Sequence, residues 1–144
     1  MTFFKHILFS LTALLFIEPL LAGPQPYLSC DLKNHYGRAT YIYLYNDYRN
    51  PQIQVIGQQS FFLNWDHKYI EQGKFVNFVK MDASQSYLFS FQLDPKTRVA
   101  RFRDLRNKTI GYESLEANYF YNGTCQYVNV LNPYEIISEL LTSQ

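Results

Sequence analysis

The stretch that decides the fold is Tyr87-Leu-Phe-Ser-Phe-Gln-Leu93, followed by Asp94-Pro-Lys-Thr97 and Arg98-Val-Ala-Arg-Phe-Arg-Asp104. In an extended chain Tyr87, Phe89, Phe91 and Leu93 fall on one face and Leu88, Ser90 and Gln92 on the other, and a period of two is the signature of a strand. Pro95 presets φ for a type I turn, and Asp94 can accept a hydrogen bond from the backbone ahead of it. Arg98–Asp104 then returns as a second strand. Tyr87–Asp104 is therefore predicted to be a β-hairpin.

The same period recurs in both directions. Ala39–Asn46 sets Tyr41, Tyr43 and Tyr45 on one face and Thr40, Ile42 and Leu44 on the other. Both faces are apolar or aromatic, so this strand is expected to be central or covered on both sides. Ile53 and Val55 alternate with Gln52 and Gln54, Phe61–Trp65 follows, and a charged turn is expected at Asp66-His67-Lys68. Phe75, Val79 and Met81 oppose Val76, Phe78 and Lys80 in a further strand. Beyond a loop through Gly111, Ala117–Val130 is again rich in strand formers, with an interruption or bulge expected at Asn122-Gly123. The period then changes. Asn132-Pro133-Tyr134-Glu135 combines an N-cap, a proline at the first helical position and a capping-box glutamate, and Ile136, Ile137, Leu140 and Leu141 form a helical stripe. The fold class expected is mostly β: an antiparallel barrel or sandwich of about eight strands with a short C-terminal helix. A barrel would also remove exposed edges from an aromatic-rich sheet.

Residues 1–22 frame this domain. Lys5 and His6 precede the mostly apolar run Ile7–Ile17, which breaks at Glu18-Pro19. That is the layout of a secretory signal peptide cleaved after Ala22, and the run is too short for the roughly 17–25 residues that span a bilayer. Residues 23–144 then form a single β domain, expected to be periplasmic or secreted and without stable membrane insertion after cleavage. Export implies an oxidising compartment, so the only two cysteines of the chain, Cys30 and Cys125, are expected to be joined. The first and last strands must then be neighbours. No Cys-x-x-Cys spacing or clustered histidine argues for a redox or metal-binding pair instead.

The formal net charge of +1 calls for neither nucleic acid nor an anionic membrane. Its distribution is uneven. Lys96, Arg98, Arg101, Arg103, Arg106 and Lys108 crowd one segment against a single acid, Asp104, whereas residues 109–144 contain acids and no Lys or Arg. At strand period Arg101 and Arg103 share a face with Val99. This segment is either a docking surface for an anionic partner (an envelope protein, a glycan or another polyanion) or a solubilising hairpin that protects a sheet edge. Arg101, Arg103 and Arg106 are the candidate binding residues. The row Tyr41, Tyr43, Tyr45 is a second candidate platform, because tyrosine offers rigid amphipathic contact area, or else one packed face of the barrel. Asp66 and His67 beside Trp65 supply the one arrangement from which a small secreted hydrolase could be built, although no nucleophile motif accompanies them. No cofactor and no metal site is expected, since His35 and His67 are isolated. Asn107-Lys-Thr and Asn122-Gly-Thr match the N-glycosylation acceptor pattern, which matters only in a eukaryotic source.

Phe62-Leu-Asn-Trp65, Met81-Asp82, Tyr87–Thr97 and Asn122-Gly-Thr-Cys125 together resemble a pattern in small exported bacterial proteins of unknown function. In that pattern a tryptophan strand precedes an aromatic strand, a Leu-Asp-x-x-Thr turn follows and Gly-x-Cys closes the domain. The resemblance implies a bacterial source and a one-disulfide β domain, and it carries no catalytic residues across. The overall plan is also similar to exported inhibitors of c-type lysozyme, small β-barrels with cysteines near both ends, but their Ser-Gly-x-x-Tyr motif is missing from this chain. The function expected is an exported, non-enzymatic binding or inhibitory module of the bacterial envelope. A hydrolase using Asp66 and His67 is the alternative, and a structural envelope accessory protein is the third reading.

Overall fold

A computed structural model describes residues 23–106 and 119–142. The expected signal segment, the Asn107 sequon, the loop through Gly111 and the charged residues Lys108, Glu113 and Glu116 lie outside the described residues. Nine strands are formed: β1 (Leu28–Lys33), β2 (Ala39–Tyr45), β3 (Gln52–Ile56), β4 (Ser60–Leu63), β5 (His67–Glu71), β6 (Phe75–Met81), β7 (Tyr87–Leu93), β8 (Val99–Asp104) and β9 (Phe120–Tyr127). Helix α1 (Pro133–Leu140) follows. All pairings are antiparallel, in a single sheet of order β4-β3-β2-β1-β9-β8-β7-β6-β5. The sheet curls into a half-barrel. Its two edges, β4 and β5, are consecutive in sequence, joined by Asn64, Trp65 and Asp66, and do not pair with each other.

The deciding hairpin forms as its sequence predicts. Asp94 accepts hydrogen bonds from the N–H groups of Lys96 and Thr97 at 3.0 and 3.1 Å, and Arg98 N–H closes the turn onto the Asp94 carbonyl at 2.7 Å. Arg98 itself is not in the strand: its φ of 66° places it in the left-handed region that ends the turn, and β8 starts at Val99. β1 and β9 lie side by side at the middle of the sheet with Cys30 directly opposite Cys125. The two are joined by a disulfide with S–S 2.03 Å and Cα–Cα 3.9 Å.

Three local expectations are corrected. Asp66-His67-Lys68 is not a turn, because His67 opens β5 opposite Val79 and Lys68 pairs with Phe78. That adds a ninth strand, and one continuous sheet replaces the sandwich alternative. Asn122-Gly123 is neither a turn nor a bulge: β9 runs in unbroken register against both β1 and β8. Glycine is required at 123 for a different reason, since a Cβ there would stand 2.0 Å from the backbone oxygen of Asp31. Finally, β2 is an interior strand, paired on both edges with β1 and β3, but it is covered on one side only. Thr40, Ile42 and Leu44 are buried, whereas Tyr41 is 41% exposed and Tyr43 and Tyr45 are half-buried.

The concave side carries the hydrophobic core. Leu28, Cys30 and Leu32 of β1, Ile42 and Leu44 of β2, and Phe78 and Phe91 of β6 and β7 are all fully buried in one cluster. Rings continue across it, with Phe61–Phe89, Phe89–Phe102 and Phe102–Tyr121 centroids 5.2, 6.1 and 6.2 Å apart. Phe61 belongs to edge strand β4 and Phe89 to β7, so side chains close the barrel where the backbone ladder does not. Trp65, between the two edges, packs its ring 5.1 Å from Phe78 and donates its indole N–H to the Pro51 carbonyl at 2.9 Å. Helix α1 is capped as expected, Asn132 accepting from Tyr134 N–H, and it buries Ile136 and Leu140 in the same cluster. Arg49, after β2, binds Glu139 of the helix, and Lys68 of β5 donates to the carbonyls of both Arg49 and Thr142 at 3.2 and 3.1 Å. Edge strand, β2–β3 connection and helix are thereby tied together. Both edges are short, and β5 carries charged side chains, which blunts pairing with another sheet.

Candidate functional site

The core takes up most of the concave side, and the polar strand residues lie on the outer face. β8 alternates as expected: Ala100 and Phe102 point into the core, and Val99, Arg101 and Arg103 point outward and are exposed. β8 lies between β7 and β9, so these arginines do not protect a sheet edge. Neither forms an ion pair with a described residue. Arg103 sets its guanidinium 5.1 Å from the Phe120 ring centroid on β9.

Strand register extends this pair into a row. Arg101 is opposite Gln92 on β7, Gln92 is opposite Asn77 on β6, and Asn77 is opposite Tyr69 on β5. The neighbouring row places Arg103 against Ser90. Tyr69, Glu71, Asn77, Ser90, Gln92, Arg101 and Arg103 together line a groove of about 310 Å³. Its floor is held by hydrogen bonds. The Gln92 side-chain amide donates to Asn77 Oδ1 and to Glu71 Oε2, both at 3.0 Å, and Asn77 is only 2% exposed. A buried amide of this kind is kept in place by its partners, because an unpaired one would cost on the order of 1–3 kcal/mol. Burial, with the Tyr87 phenol and the Glu71 charge, pushes the Tyr69 hydroxyl up from the ordinary phenol value, while the Arg103 charge pulls it back. Arg103 therefore acts electrostatically on the β5 wall of the groove.

Arg106, the third arginine of the candidate set, is elsewhere. Its guanidinium forms a two-point pair with Asp104, Nε–Oδ1 2.9 Å and Nη2–Oδ2 2.7 Å, and lies 5.2 and 4.8 Å from the ring centroids of Phe61 and Phe89. It caps the aromatic column of the interior with its charge already met. It also borders a second hollow of about 550 Å³ on the concave side, among Thr40, Val55, Phe61, Phe102 and Tyr121. Only Arg101 and Arg103 belong to the outer groove.

The tyrosine row is on the same outer face. Tyr45 donates its hydroxyl to Gln54 on β3 at 2.7 Å, and its ring lies 6.5 Å from that of Tyr43. The order β2-β1-β9-β8 puts three strand spacings, about 14 Å, between this row and the arginines, so one small ligand cannot touch both. Asp66 and His67 do not converge. Asp66 accepts from Met81 N–H at 2.8 Å and from Lys80 Nζ at 3.2 Å, bonds that hold its carboxyl below the ordinary value, and His67 is exposed on the outer side of β5. Among the described residues no group of three His, Cys, Asp or Glu side chains could hold a metal ion. No helix among them is long and apolar enough to cross a membrane.

Tyr69, Glu71, Asn77, Ser90 and Gln92 were not legible as a site, because they come from three strands. The signals present were an asparagine inside the apolar run Phe75–Met81 and the polar Ser90 and Gln92 on the face opposite the aromatics. No protein-family model, curated protein or solved structure matches the chain.

Proposed function

We propose that the protein is an exported, non-enzymatic binding or inhibitory module, periplasmic or secreted, that docks an anionic partner of the bacterial envelope on the outer face of its half-barrel. The observation that carries this reading is the pair Arg101 and Arg103, exposed side by side and without an acid partner among the described residues. Two guanidinium groups with no acid partner among the described residues, on a central strand, are a pre-oriented anion contact, because Arg presents a planar fork of donors and the strand fixes their spacing. Export is supported by the buried Cys30–Cys125 bond, since disulfides persist in oxidising compartments.

The test is association kinetics on an immobilised polyanion, dextran sulfate, over a range of salt. Association is expected to slow steeply as salt screens the exposed charges, and Arg101→Ala/Arg103→Ala is expected to slow it at low salt with little loss of thermal stability. Binding that is indifferent to the double substitution would remove the basis of the proposal.

A further inference from the structure

We infer that the groove across β5–β8 is a saccharide site selective for a monoanionic, carboxylate-bearing sugar, a uronic acid unit within a glycan. The inference rests on the outer-face reading above and names the ligand class of that face.

Three properties of the groove carry it. The first is charge. Arg101 and Arg103 bring two positive charges and Glu71 one negative charge, leaving a single net positive charge. A carboxylate matches that balance. A dianionic phosphate meets the repulsion of Glu71 at the same wall, and Glu71 cannot turn away freely because its Oε2 is held by Gln92. The second is the mixture of partners. Beside the guanidinium groups stand the Ser90 hydroxyl, the Gln92 amide oxygen, whose nitrogen is taken up by Asn77 and Glu71, and a carboxylate oxygen of Glu71, which offer a donor and several acceptors to a ring bearing hydroxyl groups. A simple anion has no use for that second set. The third is shape. A volume of about 310 Å³ lies at the small end of ligand sites, the size of one or two sugar rings rather than a protein segment. The Tyr69 ring, 46% exposed, borders it and can cover the apolar face of a pyranose.

The groove is also pre-organised. Gln92 is locked by two hydrogen bonds and Asn77 is buried, so ligand polar groups meet side chains that are already ordered. In this arrangement the carboxylate spans Arg101 and Arg103, which are two residues apart on one face of β8, and the ring hydroxyls face Ser90 and Gln92.

The experiment titrates the oxidised protein with a trimer of galacturonic acid, with its methyl ester, and with inorganic sulfate, read by calorimetry and by amide chemical shifts. The acid trimer is expected to bind and to shift the amides of Ser90, Gln92 and Arg101. The ester is expected to bind about tenfold more weakly, the loss of one charge-assisted contact. Gln92→Ala is expected to weaken the acid trimer several-fold, because it removes a sugar contact and releases Glu71 from its hydrogen bond. Sulfate competing as well as the trimer, or ester and acid binding alike, overturns the saccharide assignment. If the trimer fails to bind while dextran sulfate still requires Arg101 and Arg103, the saccharide inference falls and the anionic docking surface stands. If both fail, the outer-face reading falls with it.

Discussion

Gly123→Ala tests the closest backbone approach at any described glycine. Gly123 sits on β9 between Leu32 of β1 and Ala100 of β8, two residues from the disulfide. An added Cβ would lie 2.0 Å from the Asp31 carbonyl oxygen and 3.0 Å from both the Asp31 carbonyl carbon and Leu32 Cα. All three are backbone atoms in the central pair of strands, so no side chain can rotate out of the way. Ordinary contact begins near 3.4 Å, so β1 and β9 must part locally by about 1.4 Å. Ladder bonds of about 2.9 Å do not survive such a shift, and two of them flank the site. Their loss costs roughly 0.5–1.5 kcal/mol each, and overpacking of neighbouring core groups adds about 1–3 kcal/mol. Restricting the unfolded chain by replacing glycine returns about 0.4–1 kcal/mol. The net expectation is a loss of about 1–5.5 kcal/mol, centred near 3.

Equilibrium unfolding in urea, followed by Trp65 fluorescence, measures it. With m near 1–3 kcal/mol/M, the midpoint should fall by roughly 1–2 M while the slope is kept. Gly57→Ala is the control: its Cβ would meet only the Thr40 side chain, with the hydroxyl oxygen nearest at 3.0 Å and no backbone atom in the way, and the midpoint should move far less. An unchanged or raised midpoint for Gly123→Ala would refute the close-approach argument.

Two further outcomes follow from the same geometry. Reducing the Cys30–Cys125 bond, which closes a loop of sequence separation 95, should remove about 4.7 kcal/mol on the chain-entropy argument. Urea midpoints with and without a phosphine reductant check this, and a difference below about 1 kcal/mol would contradict it. Asp94 is 1% exposed, and burial works to raise its pKa. Hydrogen bonds from the Thr97 hydroxyl and N–H, the Lys96 N–H and Lys74 outweigh burial and hold the carboxyl below its ordinary value. A carboxyl depressed in the folded state contributes stability that is present above the ordinary pKa and is lost as pH falls through the folded one. Asp94→Asn should therefore be less stable than the parent near neutral pH and should show a shallower loss of stability on acidification. Parallel acid-unfolding curves for the two proteins would count against that assignment.

Local chemistry made much of this molecule legible from the amino acids alone. The alternation in Tyr87–Leu93, the Asp94-Pro95 turn and the Asn132 cap each depend on residues within a few positions of one another, and each forms as read. The Cys30–Cys125 bond was legible as well, because two cysteines in a chain expected to be exported have one pairing to make. Periodicity assigns residues to faces but does not say which face turns inward. In β2 both faces looked coverable, and the curled sheet took Ile42 and Leu44 into its hydrophobic core while leaving tyrosine hydroxyls, such as that of Tyr45 on Gln54, to the polar outer side. Arg106 reads as one more basic residue of a cluster, yet it sits past the end of β8, where alternation no longer governs direction, and Asp104 with two phenylalanine rings draws it to the concave side. Gly123 looks like turn chemistry until the carbonyl of Asp31, more than ninety positions away, is seen where its Cβ would be. The groove is of the same kind: Tyr69, Asn77, Gln92 and Arg101 become one row only when four strands are laid side by side in register. Faces and turns are set by neighbours along the chain, whereas close approach, charge pairing and the groove are set by neighbours across the sheet, which only the tertiary structure brings together.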